Sequence, residues 1–226
     1  MLTSFLLATA LSIDPLALGR MQWAGPAGGL VVAAPHGGFD LDTDEMARQA
    51  ALLAGAGYLL ASGYRTHEHP WNVNRPTAGV GLAPDAEART PEAARVFDGY
   101  MARLDALHPA LYVELHGNSR PESAGAIEVA AKGIPLAALI ALQADFKRRL
   151  TGFPAGCPRL PLAIEGLQPI HYHAEGAKQG GAFARLPHAL QLEIPRAGRQ
   201  DPRWRSVYAS ALGASLYRLS LGSRAF

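Results

Sequence analysis

Four side chains in this sequence have the types and the setting to hydrolyse a bond. His36 follows the apolar run Leu30 to Ala34, in Val-Val-Ala-Ala-Pro-His-Gly-Gly. His116 repeats the arrangement after Leu111 to Leu115, again with a glycine next. Asp40 returns a carboxylate towards His36 across the turn at Gly37 and Gly38. Two imidazoles and one carboxylate leave a position open on a tetrahedral ion, which is the pattern of a catalytic zinc site. Water in that position has its pKa lowered to about 7. Asp42 is the runner-up for the middle ligand. Asp44 suits the start of the following helix, where the dipole favours negative charge. Glu193 lies inside the apolar run Leu190 to Ile194. A carboxylate there is costly unless it is paired or working. As a general base it would take a proton from water and return it to a leaving amine. A salt bridge to Arg196 or Arg199 is the alternative.

Arginines stand close to this set in the chain. Arg65 and Arg75 lie in a long segment, Ser62 to Pro84, rich in Gly, Pro, His and Asn, and Arg120 follows His116. Long loops in compact domains are functional or disordered, and the contents of this one suggest function. A guanidinium suits bidentate capture of a carboxylate, and Arg75 is the first choice. His67, His69, His171 and His173 are weaker signals and stay outside the metal set.

The elements that must position these residues alternate between strand and helix. Strands are expected at Ala17–Trp23, Leu30–Ala34, Tyr58–Ala61, Leu111–Leu115, Ala126–Ala130 and Ala189–Ile194. Their continuous apolar character fits strands covered on both faces. Helices are expected at Thr43–Ala54, with Thr43 as N-cap, and at Pro91–His108, Pro135–Leu150 and Pro202–Leu221. Residues 151–188 read as loop-rich. The fold class is therefore α/β, with a mostly parallel or mixed central sheet and helices on both faces. In such sheets ligands bind beyond the carboxyl ends of the strands, where both histidines fall. One domain is expected over 1–226, with its core over about 30–221.

Composition narrows the function. The 226 residues are 49% hydrophobic with a net charge of +2. The arginines form no basic stripe, which argues against a nucleic-acid partner. The single cysteine, Cys157, cannot form an internal disulfide and reads as structural. Met1 to Ser12 is apolar but lacks the basic start of a signal peptide and is too short to span a bilayer. No membrane association and a cytoplasmic location are expected.

The same residues resemble the N-formylglutamate amidohydrolase family and, beyond it, the zinc-carboxypeptidase-like hydrolases that include the poly-γ-glutamate hydrolases. Pro35-His36-Gly37-Gly38 with Asp42-Thr43-Asp44 is similar to the family's first metal motif. Tyr64-Arg65 through Asn74-Arg75-Pro76 is similar to its Ser-Arg…Asp-x-Asn-Arg-Pro segment. Glu114-Leu115-His116-Gly117 is similar to its Asp-Leu-His-Ser. Leu190 to Arg196 resembles the segment with the catalytic glutamate. Asn72 stands where the family has Asp, and three extra residues lie between Arg65 and Asn74. Phe39 stands where the wider His-x-x-Glu pattern has its acid.

The resemblance implies a carboxypeptidase-like fold, one zinc and hydrolysis of an amide on an acidic amino acid. Its substrate would be a small molecule or short peptide bearing a carboxylate. Taken with the chemistry of the residues themselves, His36, Asp40 and His116 would hold the metal and Glu193 would be catalytic, while the resemblance alone leaves the middle ligand open. Arg75, Arg65 and Asn74, in the matched segment, and Arg120, by its place after His116, would bind the substrate.

Overall fold

The structure is a computed structural model, and it describes residues 14–222. The apolar run from Met1 to Ser12 lies outside the described residues.

Elements follow the chain as β1 Arg20–Ala24, β2 Leu30–Gly37, α1 Thr43–Ala54, β3 Gly57–Ser62, β4 Trp71–Asn72, β5 Thr77–Ala78 and α2 Pro91–Leu107. Then come β6 Leu111–Asn118, β7 Ile127–Lys132, α3 Leu136–Leu150, β8 Leu162–Ile164, α4 Glu175–Gly180, α5 Ala182–Arg185, β9 Ala189–Pro195, α6 Arg196–Arg199 and α7 Pro202–Gly222. Seven strands form one sheet in the order β1-β3-β2-β6-β9-β7-β8. The four strands from β3 to β9 run parallel, while β1 pairs antiparallel with β3 and β7 antiparallel with β9. The sheet is thus mixed and mostly parallel, as the alternating elements imply.

Side chains alternate across the sheet, so each strand feeds two cores. Leu30, Val32 and Ala34 pack under α1, α3 and α7. Val31 and Ala33 pack with Tyr112 under α2, α4 and α5. Full burial along β2 and β9 explains their unbroken apolar runs. Cys157 is free and buried in the first of these cores. Among the described residues, no helix is long and apolar enough to cross a membrane.

Local signals end the helices where they should. Thr90 caps α2 by accepting from the Ala93 amide at 3.1 Å, and Pro91 opens the helix. Gly55 closes α1 with φ of 62°, a left-handed cap that glycine adopts without strain. The N-cap of α1 is Asp42 rather than Thr43, and Asp42 is itself left-handed, with φ of 69°. Two segments hold more structure than expected. The stretch from Ser62 to Pro84 contains the β4–β5 hairpin. The stretch 151–188 contains β8, α4 and α5. These are elements of two to six residues, too short to show periodicity in a sequence.

Helices α1 and α7 approach closely at Gly213. A Cβ at that position would lie 2.5 Å from the Ala50 carbonyl oxygen. Because the obstacle is backbone, Gly213→Ala is expected to destabilise the fold by about 1–3 kcal/mol. Chemical denaturation reads this directly.

Candidate metal centre

The chain leaves β2 for β3 on one side and returns to β6 on the other. The gap between the ends of β2 and β6 is therefore the switch point of the sheet, where open α/β sheets place their ligands. His36 ends β2 and His116 ends β6, both buried. The turn after His36 brings Asp40 back, with the Asp40 amide donating to the His36 carbonyl at 2.8 Å.

The Asp40 Oδ2 atom lies 3.5 Å from His36 Nδ1 and 3.2 Å from His116 Nδ1. The three candidate ligand atoms lie within 4.8 Å of one another. Ligands at about 2.0–2.1 Å from a tetrahedral ion are separated by about 3.4 Å, so the set fits zinc with small adjustments. Asp42 points away and pairs with Arg205 at 2.7 Å. Asp44 sits in the first turn of α1.

Two buried carboxylates surround His116. Asp40 faces its Nδ1, and Glu114 Oε2 lies 3.0 Å from its Nε2. Burial alone would discourage charge on His116, but the hydrogen bonds to Asp40 and Glu114 prevail and raise its pKa to about 10. Burial would likewise raise the Asp40 carboxyl, yet hydrogen bonds from His116 and His36 hold it well below the usual range. His36 is the opposite case. Burial and the nearby Arg65 guanidinium lower it to about 3, so it is neutral. His116 is thus the member of the set that carries the extra proton. Metal uptake at neutral pH is expected to release about one proton per ion. Calorimetry in buffers of different ionisation enthalpy measures that number.

Glu193 is the register partner of His116 on β9, and Glu128 of β7 is the register partner of Glu193. In-register residues share a face of the sheet, so His116, Glu193 and Glu128 form one row. Glu193 is 5% exposed and receives a hydrogen bond from Gln191 Nε2 at 2.8 Å. Neither Arg196 nor Arg199 pairs with it among the described residues. Burial pushes its carboxyl up to about 7, opposed by the nearby His116 charge. That is where a general base works best near neutral pH.

Arg199 serves the backbone instead. Its guanidinium donates to the carbonyls of Leu41, of Ile194 at 3.1 Å and of Asn118 at 3.4 Å. Those three carbonyls follow the residues of the site on β2, β9 and β6.

All of this opens into a cavity of about 750 Å³, within the range of small-molecule sites. His36, Asp40, His116, Glu193, Arg65, Arg75 and Arg120 line it, as do His171, Tyr172 and His173. The arginines differ in what they already hold. Arg75 makes a two-pronged ion pair with Glu87, through Nε at 2.7 Å and through Nη2. Arg65 Nη1 bonds Asn72 Oδ1 at 2.5 Å. Arg120 stacks on the Tyr172 ring at 4.8 Å and has no carboxylate partner among the described residues. Asn74 stands behind the cavity wall, buried, and gives its amide to Glu114 at 2.9 Å. The loop sequence places Asn74 and Arg75 side by side but does not reveal that buried carboxylates already occupy both.

Two carboxylates carry no signal as single residues. Glu114 is two positions before His116, hence on the same face of β6, and that spacing is the signal for it. Glu128 receives the amides of His171 and Tyr172 at 2.8 and 3.0 Å, and its other oxygen meets His171 Nδ1 at 2.9 Å. Nothing local marks it, because the pairing spans 43 residues.

No family model matches the sequence, and no curated protein does. Solved structures do match. A bacteriophage poly-γ-glutamate hydrolase aligns over 89% of this chain and 89% of its own, with a TM-score of 0.54 and 14% identity. A metallo-carboxypeptidase from Burkholderia cenocepacia aligns over 88% of this chain and 60% of its own, with a TM-score of 0.55 and 10% identity. A metallo-carboxypeptidase from Pseudomonas aeruginosa, solved with (2-guanidinoethylmercapto)succinic acid, aligns over 88% of this chain and 59% of its own, with a TM-score of 0.50 and 14% identity. At these identities the likeness is one of fold. This chain spans about three fifths of the two carboxypeptidases and most of the phage hydrolase. The fold is thus carboxypeptidase-like, while the narrower resemblance to N-formylglutamate amidohydrolases finds no matching family.

Proposed function

We propose that this chain is a metal-dependent hydrolase that cleaves an amide bond in a substrate bearing a carboxylate, either an N-acyl acidic amino acid or a γ-linked peptide. The observation that carries the reading is the buried His36–Asp40–His116 set with Glu193 in register beside it, all facing one cavity. The carboxypeptidase-like fold supports it.

His36, Asp40 and His116 would hold the ion, and zinc suits this donor set. Bound zinc supplies Lewis acidity and a water that ionises near neutral pH. Glu193 takes the proton from the attacking water and gives it to the leaving nitrogen. Its pKa of about 7 lets it do both at neutral pH. Arg120 is the guanidinium free to capture a substrate carboxylate, since Arg75 is engaged by Glu87.

Cavity size favours the longer substrates. A space of about 750 Å³ far exceeds what a single formylated amino acid fills. A peptide-sized, γ-linked acidic substrate fits better, so a peptidase action on γ-glutamyl or cell-wall peptides is the second reading. The compound in the Pseudomonas carboxypeptidase structure carries a succinic acid beside its guanidino group, which is in keeping with carboxylate recognition on this fold.

The test is a hydrolysis panel of N-acyl glutamates and aspartates, γ-glutamyl oligomers and cell-wall peptides, run with zinc and with chelator. Turnover that needs metal and falls within this panel is the expected result. Ligand affinity with no turnover across the panel would instead make the chain a binding protein on a hydrolase fold. With an active substrate in hand, Arg120→Ala should raise KM about tenfold or more with little change in kcat, the signature of a lost charged hydrogen bond used in binding.

A further inference from the structure

The two histidines of the proposed metal set have opposite outer partners. His116 has a carboxylate behind it, and His36 has a guanidinium.

On the His116 side both ring nitrogens face carboxylates, Asp40 at Nδ1 and Glu114 at Nε2. Glu114 is 0% exposed, and both its oxygens accept hydrogen bonds. The Tyr112 hydroxyl donates to Oε1 at 2.8 Å, and the Asn74 amide donates to Oε2 at 2.9 Å. The Tyr112 hydroxyl in turn meets Tyr100 at 2.6 Å. A carboxylate ringed by donors accepts from His116 as well, so the His116 Nε2 carries a proton. Nδ1, on the side of Asp40, is then the nitrogen that would give up its proton and serve as the ligand atom. A carboxylate behind a ligating imidazole fixes its orientation and raises its basicity.

On the His36 side the same logic runs in reverse. His36 Nε2 lies 3.3 Å from Arg65 Nη1, which can only donate. In this arrangement Nε2 accepts and Nδ1 bears the proton towards Asp40. When His36 gives its Nδ1 lone pair to an ion, its remaining proton must sit on Nε2. Two donors then face each other, with a fixed positive charge close behind the ligand.

Arg65 has little freedom to retreat. Its Nη1 is held by Asn72, its face packs on the Phe39 ring at 4.8 Å, and its buried Nε has no acceptor. Asn72 is neutral, so its hydrogen bond does not pair the charge, and the carboxylates of Asp40, Glu87 and Glu193 act on the guanidinium only from a distance.

We propose that Glu114 and Arg65 act in opposite directions on metal loading, Glu114 promoting it through His116 and Arg65 restraining it through His36. This rests on the reading that His36, Asp40 and His116 hold the ion. Both residues act here by positioning ligands.

The experiment is zinc competition against a chelating dye, on wild type, Glu114→Gln, Arg65→Gln and Tyr112→Phe, with cobalt absorption as a second readout of ligand geometry. Glu114→Gln is expected to weaken zinc binding about 10–100-fold. Arg65→Gln is expected to tighten it by about tenfold, because glutamine can turn an oxygen towards Nε2 and carries no charge. Tyr112→Phe keeps the Glu114–His116 contact and should lower stability while sparing zinc affinity. A merely structural role for Glu114 would move stability alone. If Glu114→Gln fails to fold, Arg65→Gln at the cavity wall still decides. Affinity unchanged or weakened in Arg65→Gln, or unchanged in Glu114→Gln, would overturn the proposal. No zinc bound by wild type would overturn the metal-site reading beneath it, so the two failures are distinguishable.

Discussion

Replacing Glu193 by glutamine is expected to leave metal binding intact and to lower kcat by a factor of about 10²–10⁴, the usual worth of a positioned acid–base group. The substitution keeps shape and volume in a site that is 5% exposed, so packing on β9 should survive. It removes only the ability to take and return a proton. The same carboxyl predicts a pH profile. Burial raises its pKa to about 7, so below that value it is protonated and cannot act as base. Activity in wild type should therefore rise as pH increases through about 7. The variant should lose that limb. Zinc content measured alongside separates a lost base from a lost metal. Turnover retained in Glu193→Gln would remove Glu193 from the mechanism.

His116→Ala should abolish metal binding. Wild type is expected to carry about one zinc per chain and the variant close to none, because two ligands remain where a catalytic zinc site has three. A second effect comes with it. His116 separates Asp40 from Glu114, and its loss leaves two buried carboxylates facing an unfilled space. Removing one partner of a buried charged cluster costs about 3–5 kcal/mol, so the variant should also unfold earlier. Elemental analysis of folded protein, checked by circular dichroism, keeps the two effects apart. Wild type that stays free of metal after zinc is offered would sink the hydrolase reading.

Long, periodic or doubly flanked features are legible in the amino-acid order itself. The strands before His36 and His116 announce themselves by unbroken apolar runs, and both histidines sit where each run meets a glycine. Thr43–Ala54 shows its helix by acids at one end and Gly55 at the other. The choice of Asp40 over Asp42 is harder. It turns on Asp42 pairing with Arg205, a partner 163 positions away that no local pattern reveals. Arg75 shows the same limit from the other side. Its residue type suits a carboxylate, and Glu87 already supplies one. Glu128 and His171 meet only because β7 enters the sheet antiparallel beside β9. Sequence spacing conveys what shares a strand face, but it is silent about which distant charge has been met within the fold.

Arg199 bears on timing. Its one guanidinium holds the main chain just past Asp40, His116 and Glu193 through three carbonyls. Most small zinc domains assemble around their ion, so folding and loading are a single event. Here a permanent cation of the chain's own ties the three segments together through main-chain carbonyls, a link that needs no ion. If His36, Asp40 and His116 hold an ion as proposed, its loading is expected to be separable from folding. On the proposed function, exchange of that ion would not require the protein to fold again.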